Sequence, residues 1–265
     1  MSEQPASVGQ EVLYEVIDDH IAVVTLNRPD KRNAVNGAVA AALDFLIKKI
    51  EADDAIRVAV LASSSTSVFC AGADLGEISA GRGGQLGTKD GGFAGFVDQP
   101  KVKPWIAAVT GPALAGGCEL ALACDMIVAS DDSRFGLPEV KRGLFAAAGG
   151  VHRLPRALPR AVALELIATG DPLDVARAHS FGLVNYVVPN ADVKARALDL
   201  ARAISVNAPL SVRESLKIAR LANELSDAEL RRQSNQVART VMTSEDAREG
   251  PLAFLQKRAP VWKGR

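Results

Sequence analysis

Residues 103–150, KPWIAAVTGPALAGGCELALACDMIVASDDSRFGLPEVKRGLFAAAGG, constrain the fold more than any other stretch. Trp105–Val109 is a short apolar run followed by Gly111-Pro112, the pattern of a buried strand ending in a turn. Ala115-Gly116-Gly117-Cys118 then presents small residues and bare amides just ahead of the helix formers Glu119-Leu120-Ala121-Leu122-Ala123. The first amides of a helix lack intrahelical acceptors and lie at the positive end of the macrodipole, so such a start favours developing negative charge. A second apolar strand, residues 126–129, follows, and Phe135-Gly136-Leu137-Pro138 leads to Glu139. Glu119 and Glu139 thus stand in weakly polar surroundings, where burial raises a carboxyl pKa.

The text before this stretch alternates in the same way. Residues 11–17 and 21–26 are rich in Val, Ile, Leu and Tyr around Asp18-Asp19, which predicts a β-hairpin of edge or early strands. NRPDKRNAVN at 27–36 is a polar loop with a Pro29-Asp30 turn and the adjacent cations Lys31 and Arg32. Asn36 is a suitable N-cap for an amphipathic helix over Gly37–Ala52, and residues 57–62 read as a buried strand. The SSSTS that follows lacks a G-x-S-x-G elbow and is a turn rather than a nucleophile cluster. Residues 68–75, VFCAGADL, run from a strand end through Ala71-Gly72-Ala73 to Asp74, a candidate helix N-cap. Seven glycines in residues 81–95 predict a mobile loop, read here as a lid over a binding pocket. Its GRGG and GG pairs match neither phosphate-loop pattern.

Beyond residue 150, residues 151–168 read as helical with a Pro-interrupted start, 173–182 as a short helix ended by glycine, and 183–188 as a late strand. His152 follows two glycines and is a candidate to face a cleft. From Asp192 onward the text is helix after helix, with breaks expected at Asn207-Ala208-Pro209, Ser226-Asp227, Ser244 and Gly250-Pro251. The shift suggests an α/β core over residues 1–200 and a helical region over 201–265.

Composition excludes several classes. Lys plus Arg equals Asp plus Glu at 31 each, so no net field favours a nucleic acid or an anionic membrane, and phosphate recognition has to be local. No signal-peptide layout is present at the start, and charged residues interrupt the most apolar region short of a membrane span, which predicts a soluble cytoplasmic protein. Cys70, Cys118 and Cys124 are expected to be reduced structural thiols, with no zinc-ligand spacing.

Four blocks carry a resemblance: NRPDKRNAV at 27–35, VFCAGADL at 68–75, GPALAGGCELALACD at 111–125 and FGLPEVKRG at 135–143. In order and spacing they resemble the active-site core of the enoyl-CoA hydratase/isomerase (crotonase) superfamily, and SEDAREGPLAFLQKRAP near the C-terminus is similar to it too. The resemblance implies a crotonase spiral of repeated ββα units with a C-terminal helical module that builds trimers or hexamers as dimers of trimers. It implies an oxyanion hole from the amides of Ala73 and Gly116, with Glu119 and Glu139 as the catalytic acids and bases. CoA and substrate contacts carry over to Lys31, Arg32, Ala34, Ala71, Asp74, Leu75, Phe254 and Lys257, the last two from the final helix. No metal or redox cofactor is implied; coenzyme A belongs to the substrate.

Retention of both glutamates points to a hydratase, a lyase of lipid and fatty acid metabolism, rather than to isomerases that generally manage with the Glu139-type base alone. Phe145 and the alanines after Glu139 depart from the proline- and glycine-containing turn common in fatty-acyl hydratases. That departure leaves branched, cyclic, sterol-derived or carnitinyl-type acyl groups open beside short linear ones. The alternatives are a double-bond isomerase, a carnitinyl-CoA-type dehydratase, or a non-catalytic CoA- or RNA-binding homologue. Only two Trp and two Tyr argue against RNA.

Overall fold

The computed structural model describes residues 9–265. Residues 1–8, which carry most of the reading that no signal peptide is present, lie outside the described residues. The chain opens on the expected hairpin, β1 (Val12–Ile17) and β2 (Ile21–Leu26), paired antiparallel. Asp18 and Asp19 turn it with φ of 51° and 60°, and His20 N–H donates to Ile17 O, the primed turn whose twist suits a hairpin. Helix α1 (Gly37–Ala52) starts where Asn36 accepts from Val39 N–H at 2.9 Å. Strand β3 (Val58–Ser63) and the short helix α2 (Leu75–Ser79) follow, the latter capped by Asp74.

Residues 81–95 differ from the expected mobile loop. They form a 3-10 turn and a small hairpin of two-residue strands, β4 (Gly87–Thr88) and β5 (Gly92–Phe93), packed on α1. Thr88 Oγ1 and Gln99 Nε2 both donate to Asp44 Oδ1, at 2.7 and 2.6 Å, which fastens the hairpin to that helix. Gly95, at φ 63°, lies against Ala40 O where any Cβ would overlap the carbonyl. Glycine here permits close packing, and the segment is a wall rather than a lid.

Next come β6 (Trp105–Val109), β7 (Ala113–Leu114), α3 (Gly116–Leu122), β8 (Met126–Ser130) and β9 (Arg134–Gly136). After a 3-10 turn over Pro138–Arg142 the chain forms α4 (Gly150–Ala157) and α5 (Arg160–Thr169). It continues through β10 (Leu173–Asp174), α6 (Val175–Ser180) and β11 (Tyr186–Val188). Four helices end it: α7 (Val193–Ser205), α8 (Pro209–Arg220), α9 (Asp227–Met242) and α10 (Glu245–Leu255).

The main sheet runs β1-β2-β3-β6-β8-β11, antiparallel only at its β1 edge, and a small sheet runs β10-β9-β7. A parallel sheet buries both faces, so its strands read as continuous apolar runs. Here Ile21, Val23, Val58, Val60, Ile106 and Val128 pack against Val193, Ala197 and Ala201 of α7. On the opposite face Ala22, Val24, Leu61 and Ala107 meet Leu43, Leu46 and Ile47 of α1 and the aromatic group Phe69, Phe96 and Trp105. That second face supports the loops that build the site.

Residue 200 falls inside α7, which covers the main sheet; the chain leaves the core only after Ser205. Helices α8 and α9 bury no residue in the single chain. The breaks expected near Asn207, Ser226 and Ser244 are present, the two serines being N-caps, but α10 runs through Gly250-Pro251. The bare Gly250 lets the Trp262 ring lie on the helix there, and this packing offsets the hydrogen bond lost at Pro251. No helix among the described residues is long and apolar enough to cross a membrane.

Candidate active site

A cavity of about 730 Å³ opens where the loops after β2 and β3, the start of α3 and the 3-10 turn over Pro138–Arg142 converge. Glu119 and Glu139 both line it, as do Ala73, Gly116, Lys31, Arg32, Ala34, Ala71, Asp74 and Leu75. Phe254 and Lys257 do not: Phe254 stands 83 % exposed on α10, away from the cavity of its own chain. A single chain does not bring the last helix to this site, so a contact from these two residues requires a second copy. His152 is likewise absent from the cavity wall.

The loops are stitched by main-chain bonds. Val35 N–H donates to Gly72 O at 2.8 Å and Asp74 N–H donates to Val35 O at 2.9 Å. This parallel bridge turns the Ala73 amide away from Val35, and Ala73 N–H finds no acceptor among the described residues. Gly116 N–H, at the head of α3, finds none either. The two segments touch, since a Cβ on Gly72 would come within 2.9 Å of Gly116 N. Two unengaged donors thus face one cavity from separate loops, the geometry of an oxyanion hole. Ala115, the residue before α3, is held at φ 51° and ψ −128°, a conformation costing of the order of 1–3 kcal/mol for a non-glycine residue, so strain is stored at the site.

The polar loop after β2 is rigid for a reason its sequence only half shows. Asn33 is buried, donates to Ser63 Oγ at 2.7 Å and Phe69 O at 3.0 Å, and accepts from Arg28 N–H. The Arg28 guanidinium reaches Asp74 Oδ2 at 3.1 Å and Glu11 Oε1 at 3.3 Å. Asp74 therefore joins two loops as well as capping α2. Lys31 and Arg32 make no ion pair among the described residues, which leaves two cations for an anionic ligand at the cavity rim.

The carboxyl groups differ in their support. Glu119, 3 % exposed, accepts from Gly150 N–H at 2.8 Å. Burial pushes its pKa up to about 7, and the nearby Glu139 charge adds to the rise; the Gly150 and Ala148 amides and the Arg153 charge oppose it. Glu139 is also raised by burial, against its own backbone amide and the Arg142 charge. Its Oε2 is buried without a hydrogen-bond partner among the described residues, so that oxygen's bonding capacity is unspent there. Burial raises the Cys70 and Cys118 thiols too, which keeps them from acting as thiolate nucleophiles.

The raised Glu119 pKa has a cost in stability. Between the ordinary 4.5 and about 7 the folded protein retains a proton that the unfolded chain has released, so stability falls as pH rises through that window. Glutamine avoids this loss and still accepts from Gly150 N–H. Glu119→Gln should therefore exceed the wild type in stability by up to about 3 kcal/mol near pH 8 and converge with it near pH 4.5. Urea midpoints at the two pH values measure this; an equal difference at both contradicts it.

Several wall residues gave no signal in the sequence. Phe93 comes from the glycine-rich segment and packs its ring against Gly116; Ile78, Asp98, Arg142 and Leu144 also line the cavity. Arg142 stands beside Glu139 in the FGLPEVKRG block, which was the one available pointer.

Known proteins agree with this architecture. An enoyl-CoA hydratase from Mycobacterium tuberculosis is 43 % identical, superposes with a TM-score of 0.93, and is matched over 97 % of this chain and 100 % of its own. A carnitinyl-CoA hydratase from Mycobacterium avium is 45 % identical at a TM-score of 0.78, with the same coverages of 97 % and 100 %. The carnitinyl-CoA dehydratase of Proteus mirabilis is 39 % identical over 247 residues, 91 % of this chain and 94 % of that protein. Fold and relatives define an enzyme of the crotonase fold. The chain belongs to the enoyl-CoA hydratase/isomerase family, whose model matches residues 17–265.

Proposed function

We propose that the protein is an enoyl-CoA hydratase, a hydro-lyase that adds water reversibly across the 2,3 double bond of an acyl-CoA thioester. The observation that carries this reading is the meeting of two raised carboxyl groups and two unengaged amides in one cavity. Glu119 takes a proton from the water that attacks C3. The double-bond electrons move onto the thioester oxygen, where the Ala73 and Gly116 amides and the head of α3 receive the charge. Glu139 helps hold the water and delivers a proton to C2. The scheme uses only the chain's own groups, and Lys31 and Arg32 face the phosphates of CoA.

A second reading on the same chemistry is dehydration of a carnitinyl-type thioester. It is favoured by the names of the Proteus mirabilis and Mycobacterium avium relatives. The exposed Met242, Phe254 and Leu255 on α9 and α10, 74, 83 and 78 % exposed, support a trimer or hexamer in which these faces are covered.

Loss of enoyl-thioester absorbance on a panel of short, long, branched and ring-bearing 2-enoyl-CoAs, with the dehydration product of carnitinyl-CoA included, tests both readings. Turnover on a member of the panel supports the hydratase, and the best member names the acyl group; turnover on none contradicts it. Because the base is raised to about 7, kcat/KM for hydration should rise with pH through neutrality. An ascending limb near the ordinary carboxyl range contradicts the assignment. The two carboxyls titrate as a coupled pair, so the limb belongs to both.

A further inference from the structure

Arg153, on the first turn of α4, reaches back across the 146–150 loop, whose Gly150 amide holds Glu119. Its Nη1 donates to Ala148 O at 2.8 Å and its Nη2 to Val97 O at 2.7 Å, while Nη2 lies 3.5 Å from Asp98 Oδ1. The guanidinium lies flat on Gly149, at φ 102°, where any Cβ would overlap Nη1. The next amide along, Gly150 N–H, is the donor to Glu119 Oε1. One side chain therefore joins the segment after β5, at Val97 and Asp98, to the 146–150 loop within one peptide of the bond that holds Glu119.

We propose, building on the hydratase reading, that Arg153 is the positioning residue for Glu119: its guanidinium, bonded to Ala148 O, fixes the loop whose Gly150 amide aims this carboxylate at the water. A planar fork is what the place demands. Two carbonyls and a carboxylate lie in different directions around one group, which a guanidinium satisfies and an ammonium does not. Arg153 is half-buried, so its bonds are shielded in part from solvent. Among the described residues, the titratable and charged groups that act on Glu119 are Glu139 from the 3-10 turn, Cys118 from its own helix and Arg153 from α4, and Arg142 acts on Glu139. Arg153 contributes positive charge near Glu119, so its loss and the loosening of the Gly150 amide act in the same direction on the carboxyl.

The test compares wild type, Arg153→Met and Arg153→Lys by hydration kinetics over pH, and by carboxyl titration of the 13C-glutamate-labelled proteins with Glu119 assigned by Glu119→Gln. In Arg153→Met, kcat should fall roughly 10²-fold, the cost of a misplaced base, with KM changed less than about threefold. The ascending limb and the Glu119 carboxyl titration should both move upward by about one on the pH scale. In Arg153→Lys the charge remains and the fork is lost, so kcat falls about tenfold while the titration stays near wild type. A fall in kcat with an unmoved Glu119 titration in Arg153→Met, or wild-type kcat in both variants, overturns the proposal. If Arg153→Met does not fold, wild-type kcat in Arg153→Lys alone overturns it, and the tenfold loss in that variant upholds it. A wild type inactive on every thioester, with the Glu119 titration still moved, removes the hydratase reading and leaves the positioning geometry standing.

Discussion

Glu139→Gln should lower kcat by roughly 10³-fold or more while the protein still binds CoA, because glutamine keeps the shape of the side chain and loses its transferable proton. Glu139 is half-buried on the 3-10 turn over Pro138–Arg142, and nothing among the described residues engages its Oε2. The substitution therefore breaks no internal hydrogen bond of that oxygen and leaves the wall in place. Its effect falls on the proton at C2, which glutamine cannot supply. Steady-state kinetics with titration calorimetry of CoA separates the two. Near-normal turnover, or a loss lying entirely in CoA affinity, would show that Glu139 is a wall residue.

Gly117→Ala should be nearly as damaging, by geometry rather than by acid–base chemistry. A Cβ on Gly117 would fall on the carbonyl of Cys70, backbone against backbone, with no flexible side-chain end to yield. Cys70 is paired with Ala113 just before the Ala71-Gly72-Ala73 turn, and Leu114 N–H donates to Cys70 O at 3.1 Å. Accommodation has to push this strand off α3 and separate the Ala73 amide from that of Gly116. We expect about 10²-fold lower kcat from the loss of one donor, and about 1–3 kcal/mol of destabilisation from overpacking. Gly84→Ala is the control, since a Cβ there meets nothing within 4 Å; it should change neither quantity. Wild-type kcat in Gly117→Ala would mean that the two amides do not act together.

These expectations rest on features unequally visible in the sequence. Strands β2 and β6 and helix α1 could be read to the residue, because apolar runs bounded by turn residues and an Asn36 cap leave few alternatives. The carboxyls and the small residues around them were legible as a motif, and the cavity gathers them. What was not legible is set by tertiary contact. The glycines of residues 81–95 look like a flexible loop in composition, yet they are the condition for close approach to α1. Pro251 looks like a helix end, but Trp262 from the tail packs where Gly250 leaves room. The amides of Ala148 and Gly150 carry no side-chain signature, so neither they nor Arg153 could be connected to Glu119 from the text. Phe254 and Lys257 were assigned by resemblance, and their exposed places on α10 and in the turn after it show that one chain does not bring them to its own site.

The central claim is that two carboxyls move protons to place water across a double bond, and isotope position tests it most directly. Conversion of a 2-enoyl-CoA in deuterium oxide, followed by NMR of the product, should show one deuteron at C2 and a hydroxyl at C3, with neither formed by Glu119→Gln. Deuterium at C4 with the double bond shifted and no hydroxyl would contradict the account and assign the protein to double-bond isomerisation.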